Sequence, residues 1–259
     1  MLHAWTADDG HQPGRQFIYS HAGYVLLHLA LERSLGSPIG DLLKTRLFEP
    51  LGMRSTLLPP RGPRSHARLA PDLLARAVQG FDENGPPIGQ PGNVQGYYHW
   101  PGTTQVFSSA RDMASFIAAA LGEAGQPAIE RAIAATFREV IAIAPSVQQA
   151  LAWEVHEGEP RIIDKNGGLN NTSLYLGLVP SKKLGIAILV NRGNQDAAAA
   201  GRAILQELAR TLHAAIRLIH VYPLELPDSF GALLGNPHEH PSVHCVSCWP
   251  SLVCYQTAV

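Results

Sequence analysis

Residues Arg161 to Asn191 read RIIDKNGGLNNTSLYLGLVPSKKLGIAILVN, and this stretch decides the fold. It holds three short runs rich in β-branched, aliphatic and aromatic residues: Arg161 to Lys165, Ser173 to Val179 and Leu184 to Asn191. Between them lie Gly167-Gly168-Leu169-Asn170-Asn171 and Pro180-Ser181-Lys182-Lys183, which are short and rich in turn formers. Such separators join neighbouring strands by tight connections, so the stretch is expected to be an antiparallel meander. A fourth run, Ala150 to His156, precedes it across Glu157-Gly158-Glu159-Pro160 and extends the meander on that side.

Helical periodicity surrounds the meander. Downstream, Gln195 to about Arg217 reads as a closing helix with Ala198, Ile204, Leu205, Leu208 and Leu212 on its apolar side. Upstream, Val25, Leu26, Leu29 and Ala30 recur at helical spacing after Tyr19-Ser20-His21, and the pattern stops at Gly36, a natural left-handed terminator. Ser37-Pro38 supplies an N-cap and a first-turn proline for a second amphipathic helix through Ile39, Leu42, Leu43 and Leu47, ending at Pro50. Ser109 and Asp112 form an acidic variant of the capping box before the stripe Met113, Phe116, Ile117 and Ala120, which Gly122 closes. Pro127 to Ala144 is expected to be helical as well. From Pro59 to Trp100, glycine, proline and polar residues dominate, which predicts a long irregular segment with short strands at most. Helices, then a meander, then a helix make an α+β arrangement in which an antiparallel sheet is flanked by helices.

Composition narrows the function. A chain of 259 residues that is 46% hydrophobic and 16% charged can bury a substantial core. A net charge of −1 supplies no basic field for phosphate backbones or anionic lipid, so a small-molecule substrate or another protein is favoured over nucleic acid. No apolar run approaches the roughly 20 residues that span a bilayer. Met1 to Gly10 carries no basic segment leading into an apolar one, and localisation stays open. All three cysteines, Cys245, Cys248 and Cys254, lie in the last fifteen residues, so the body of the chain is held by its core. Beyond about Ile216 the periodicity ends. Residues 217–259 are expected to be a separate extension, poorly ordered for want of an apolar face that would offset ordering entropy. Its His238, His240, His244, Cys245, Cys248 and Cys254 have donors enough for a zinc site, but their spacing fits no standard finger.

Several stretches, in order, resemble one enzyme family. They are Gln16-Phe17-Ile18-Tyr19-Ser20-His21-Ala22-Gly23-Tyr24, then Leu47-Phe48-Glu49-Pro50-Leu51-Gly52-Met53-Arg54-Ser55-Thr56, then Val106 to Met113, then Lys165-Asn166-Gly167-Gly168 with the hairpin from Val179 to Ile186. Together they are similar to the Tyr-x-Asn segment, the Phe-x-Pro-Leu-Gly-Met block, the opening of a subdomain helix and the Lys-Thr-Gly strand of class C β-lactamases and their penicillin-binding and esterase relatives. The resemblance covers roughly residues 13 to 213 and implies a serine hydrolase fold with an added helical subdomain. It also implies hydrolysis of a β-lactam, a D-alanyl peptide or a small ester through an acyl-enzyme, with no metal or organic cofactor.

The same resemblance assigns roles. Tyr19 would be general base and acid, Lys165 the cation that favours its phenolate, and the Gly168 backbone N–H an oxyanion donor. His21, Asn166 and Gly167 would contact the substrate. His21 stands in place of the family's Asn and Asn166 in place of its Thr or Ser, which tilts the expectation from a dedicated β-lactamase to a broader β-lactamase-like hydrolase. The family's nucleophile lies in a Ser-x-x-Lys motif, and none of the four lysines, Lys44, Lys165, Lys182 and Lys183, has a serine three positions before it. No Gly-x-Ser-x-Gly elbow replaces it, and Ser20, Ser108 and Ser109 read as helix caps. Residues 1–216 are therefore expected to be the C-terminal part of such a hydrolase, inactive by itself. The alternatives are a non-catalytic binding protein that keeps the fold, or a zinc-binding tail.

Overall fold

The computed structural model describes residues 14–58, 69–92, 102 and 106–211, together with the backbone of Val243–Cys245 and Leu252–Thr257. The other residues, among them His238, His240 and Cys248, lie outside that description. The expected meander is the centre of an eight-stranded sheet. Its strands are β1 Ile141–Ala144, β2 Val147–Gln149, β3 Glu154–His156, β4 Ile162–Leu169, β5 Thr172–Val179, β6 Leu184–Val190, β7 Val243–Cys245 and β8 Leu252–Thr257. They lie side by side as β1-β2-β3-β4-β5-β6-β8-β7. Every adjoining pair is antiparallel except β6 and β8, which run parallel. Two segments of the stretch after residue 216 thus join the sheet, which periodicity alone did not foreshadow.

Alternation along the strands gives the sheet two apolar faces. On one, Ile163, Leu176, Leu178, Val155 and Ala187 pack against α4 (Ala110–Ala120), α5 (Pro127–Ala135) and the Phe48-Leu51-Met53 block. On the other, Ile162, Tyr175, Val179, Leu184, Ile186 and Ile188 pack against α6 (Ala197–Thr211) through Ala197, Leu205 and Ala209. Ile117, Val155, Leu178, Ile186 and Leu205 have no exposed surface, and each such burial contributes about 1.5–3 kcal/mol before entropy is counted. α6 lies close on the sheet because Gly201 carries no side chain over the Tyr175 ring.

The helix ends show where local signals suffice. α1 (His21–Leu35) starts at Ser20, whose hydroxyl accepts from the Gly23 N–H at 3.1 Å, and ends at Gly36 with φ 67°. α4 starts at Ser109, whose hydroxyl accepts from the Asp112 N–H at 3.2 Å. The Asp112 carboxylate does not reach back as a capping box requires. It is buried, and it accepts from the Ser55 N–H and the Thr56 hydroxyl, both at 2.7 Å.

Three other expectations change. α2 (Ile39–Leu43) begins after Pro38 and not at a Ser37 cap; the Ile39 N–H donates instead to Glu32 Oε1 at 2.9 Å, and the helix passes into a π-helical turn over Lys44–Phe48. The helix from Pro127 ends at Ala135, and Ile141–Ala144 is strand β1, since Ile-Ala-Ile-Ala also alternates with period two and pairs with β2. The helical spacing of apolar residues on α1 does not bury them: Leu26 and Leu29 are 42% and 39% exposed, and Leu27, Leu31 and Leu35 are 37% to 52% exposed. In the irregular segment only α3 (Pro71–Leu74) and the bridges of Phe81, antiparallel to Pro87 and parallel to Arg192, are regular among the described residues.

Candidate active site

The sheet, the start of α1 and the loop after α3 enclose a cleft of about 890 Å³. Tyr19 and His21 line it from the entry of α1, and Lys165, Gly167 and Gly168 line it from β4. Residues far apart in the chain thus line one cleft. Tyr19 is 67% exposed just before the helix, and its ring meets the edge of His21 at a centroid distance of 5.5 Å. Among the described residues its phenol oxygen has no hydrogen-bond partner. Tyr24, one turn into α1, also lines the cleft, and burial together with the neighbouring Tyr19 holds its phenol above the ordinary value.

Strand register explains how Lys165 reaches the cleft. Lys165 lies opposite Leu176 of β5 and shares that residue's face of the sheet, while Asp164 and Asn166 alternate to the α6 side. The β3 ladder ends at Asp164, so β4 continues beyond it with no strand among the described residues on that flank. The backbone N–H groups there that turn away from β5 belong to no ladder among the described residues, and a substrate oxygen can take them. The glycine pair lies within the strand and the turn falls after it, at Asn170-Asn171. A side chain at Gly168 would meet only the Thr172 carbonyl, at 3.8 Å, so the surface over that residue is open.

The Lys165 ammonium is not free. It donates to Asn166 Oδ1 at 2.9 Å and pairs with Glu154 Oε1 at 3.4 Å. Asn166 itself does not line the main cleft; it faces a neighbouring depression of about 490 Å³ with Asp82, Glu83 and Asn194. Behind Lys165 is a charge network that includes the fully buried Asp164. Asp164 accepts from Arg202 Nε at 2.6 Å and from the Tyr175 hydroxyl at 3.0 Å, and it contacts His156 Nε2 at 3.0 Å. Arg202 also pairs with Glu154 at 3.5 Å, which ties the network to Lys165. Glu154, His156 and Asp164 offer three donor atoms within 4.8 Å of one another. With the Arg202 guanidinium already against Asp164, the trio suits a charge network better than a metal ion.

The other wall joins the Pro-Leu-Gly-Met block to the start of α4. Leu57 and Phe107 exchange two backbone hydrogen bonds of 3.0 Å, placing Ser55 and Thr56 beside Ser108 and Ser109. Ser108 is not a cap: its hydroxyl shares a 2.8 Å hydrogen bond with Thr56. Among the described residues no histidine is on this wall to activate it. Periodicity gave no signal for this wall, for Arg76, which lines it, or for Glu154 and Arg202. The one visible cue was Asp164, an acid inside an apolar run, which demands a partner when the strand is buried. The zinc donors proposed from the tail have side chains outside the described residues. Among the described helices none is long and apolar enough to cross a membrane.

Comparison with known proteins bears on the same residues. A family model described as Beta-lactamase matches residues 5–209. The chain is 28% identical over 190 residues to the D-alanyl-D-alanine-carboxypeptidase/endopeptidase AmpH of Escherichia coli (strain K12), covering 70% of this chain and 46% of that protein. It is 29% identical over 189 residues to the unguisins hydrolase of Aspergillus campestris, covering 68% of this chain and 33% of that protein. It therefore spans less than half the length of these two curated relatives. A solved class C beta-lactamase superposes with a TM-score of 0.66 over 82% of this chain and 62% of the other, at 19% identity, which shows the fold.

Proposed function

Since the chain belongs to the beta-lactamase family, we propose that it contributes the base, the lysine and an oxyanion donor of an acyl-enzyme hydrolase acting on a β-lactam, a D-alanyl peptide or a small ester. One observation carries this reading: Tyr19, His21, Lys165, Gly167 and Gly168, distant in sequence, line a single cleft. In this proposal the Tyr19 phenolate takes the proton of a serine hydroxyl as that oxygen attacks the substrate carbonyl. The Gly168 N–H stabilises the oxyanion, and Tyr19 then returns the proton to the departing amine or alcohol. Water enters by the reverse sequence and releases the acid. His21 and Gly167 form the wall against which the substrate lies, and Asn166 holds the Lys165 ammonium in place without touching substrate in the main cleft.

The serine must come from a Ser-x-x-Lys segment that residues 1–259 do not contain. The open apolar face of α1, directly after Tyr19, supports this, because exposed leucines in such number mark a surface that another segment covers. The absence of Ser-x-x-Lys equally motivates the second reading, a binding protein that keeps the pocket without turnover. Hydrolysis assays with a chromogenic cephalosporin, a D-alanyl-D-alanine peptide and a p-nitrophenyl ester separate the two. They compare this chain with one extended by the in-frame upstream coding sequence. Turnover by the extended protein, lost in Tyr19→Phe, is expected; no turnover despite an in-frame Ser-x-x-Lys would contradict the hydrolase reading.

A further inference from the structure

We propose that Arg76 is a carboxylate anchor in this cleft, selecting substrates with a free carboxylate over neutral esters; the proposal rests on the hydrolase reading and narrows its substrate class. The cleft is lined by Arg76, Lys165 and His21 but by no aspartate or glutamate among the described residues. Its two permanent cations differ. Lys165 is paired with Glu154, whereas Arg76 has no carboxylate partner among the described residues. A cation without a counter-ion beside apolar walls such as Leu57, Leu73 and Phe107 concentrates positive potential where a ligand enters.

The guanidinium is also oriented. Arg76 Nε donates to the Asp72 carbonyl at 3.3 Å, and a terminal nitrogen donates to the Ser55 hydroxyl at 3.1 Å. Ser55 is in turn fixed through its own N–H by the buried Asp112 carboxylate at 2.7 Å. Two of the five N–H groups are therefore committed to holding the fork, and three remain, enough for a two-point contact with a carboxylate. A lysine at this position would lack that geometry. Of the three substrate types proposed above, β-lactams and D-alanyl peptides carry the carboxylate and simple esters do not.

The test is binding to the full chain, which needs no nucleophile. N-acetyl-D-alanyl-D-alanine and its methyl ester are titrated into the wild-type chain, Arg76→Ala and Arg76→Lys, and followed by chemical-shift perturbation. Thermal melts check that the exposed substitutions leave the fold intact. The acid is expected to bind the wild type about tenfold more tightly than the ester, the difference one charge-assisted contact makes. Arg76→Ala should bring the acid down to the level of the ester and leave the ester unchanged, and Arg76→Lys should restore only part of the preference. Equal binding of acid and ester, binding of neither, or an acid preference that survives Arg76→Ala would overturn the anchor. None of those results touches the hydrolase reading, which is decided by turnover of the extended protein.

Discussion

Arg202 of α6 donates through Nε to the fully buried Asp164 carboxylate of β4 at 2.6 Å. This contact joins helix to sheet on the side opposite the cleft, one residue from Lys165. Arg202 is one third exposed and Asp164 not at all, so the two substitutions differ in kind. Arg202→Ala leaves a buried carboxylate without its cation and is expected to cost about 3 kcal/mol, the lower end for a broken buried pair because water can reach the vacated space. Arg202→Lys should recover only part, since an ammonium cannot serve Asp164 and Glu154 with a planar fork. Urea unfolding midpoints measure both; an Arg202→Ala protein as stable as the wild type would show that the network carries no net stability.

Tyr175 gives the stability an alkaline limit. Its hydroxyl donates to Asp164 at 3.0 Å, and burial first, then the adjacent carboxylate, raises the phenol well above its usual 10.0. The folded state therefore holds this proton more tightly than the unfolded state does. Its contribution is complete below about pH 10 and declines as the pH rises further, by up to about 1.4 kcal/mol per pH unit. Tyr175→Phe should lower stability at neutral pH by about 1.5–3 kcal/mol, the range for a hydrogen bond to a charged acceptor, and flatten the alkaline slope. Unfolding measured from about pH 9 to 11 tests both, and an unchanged slope in the phenylalanine variant would reject this source.

Gly201→Ala sets two effects against each other. Alanine improves helix propensity by about 1 kcal/mol. Here its methyl group would collide with the Tyr175 ring, which is fully buried and tied by its hydroxyl to Asp164. Overpacking costs typically about 1–3 kcal/mol, and the ring has no room to retreat, so net destabilisation is expected. A higher melting temperature for Gly201→Ala would show that α6 can lift from the sheet at little cost.

Legibility in the sequence followed locality. The β4, β5 and β6 runs, the Ser20 and Ser109 caps and the Gly36 terminator were readable because each is decided by its immediate neighbours. Ile141–Ala144 was misread because an Ile-Ala repeat satisfies both periods, and only its pairing with β2 decides. Asp112 satisfied a capping pattern, yet its carboxylate serves Ser55 and Thr56, partners more than fifty residues away. Tyr19, His21, Lys165, Gly167 and Gly168 could be named from motif order, and they line one cleft. Asn166 was named with them, but strand alternation turns it to the other side. Arg76 left no trace, because it belongs to no motif, and only folding brings it to Ser55 at the end of the Pro-Leu-Gly-Met block.

The most direct test of the central claim is covalent labelling by a fluorescent penicillin, with the modified residue located by mass spectrometry. In a comparable serine enzyme, loss of the nucleophile costs about a million-fold in turnover. Purified residues 1–259 are therefore expected to give no adduct. The protein extended to include an in-frame Ser-x-x-Lys should be labelled stoichiometrically at that serine, and Tyr19→Phe in the extended protein should slow labelling by at least about a hundredfold, as loss of a general base does. A stoichiometric adduct on any serine of residues 1–259 alone would contradict the account, because the nucleophile would then be one that the motifs and the cleft assign to other work.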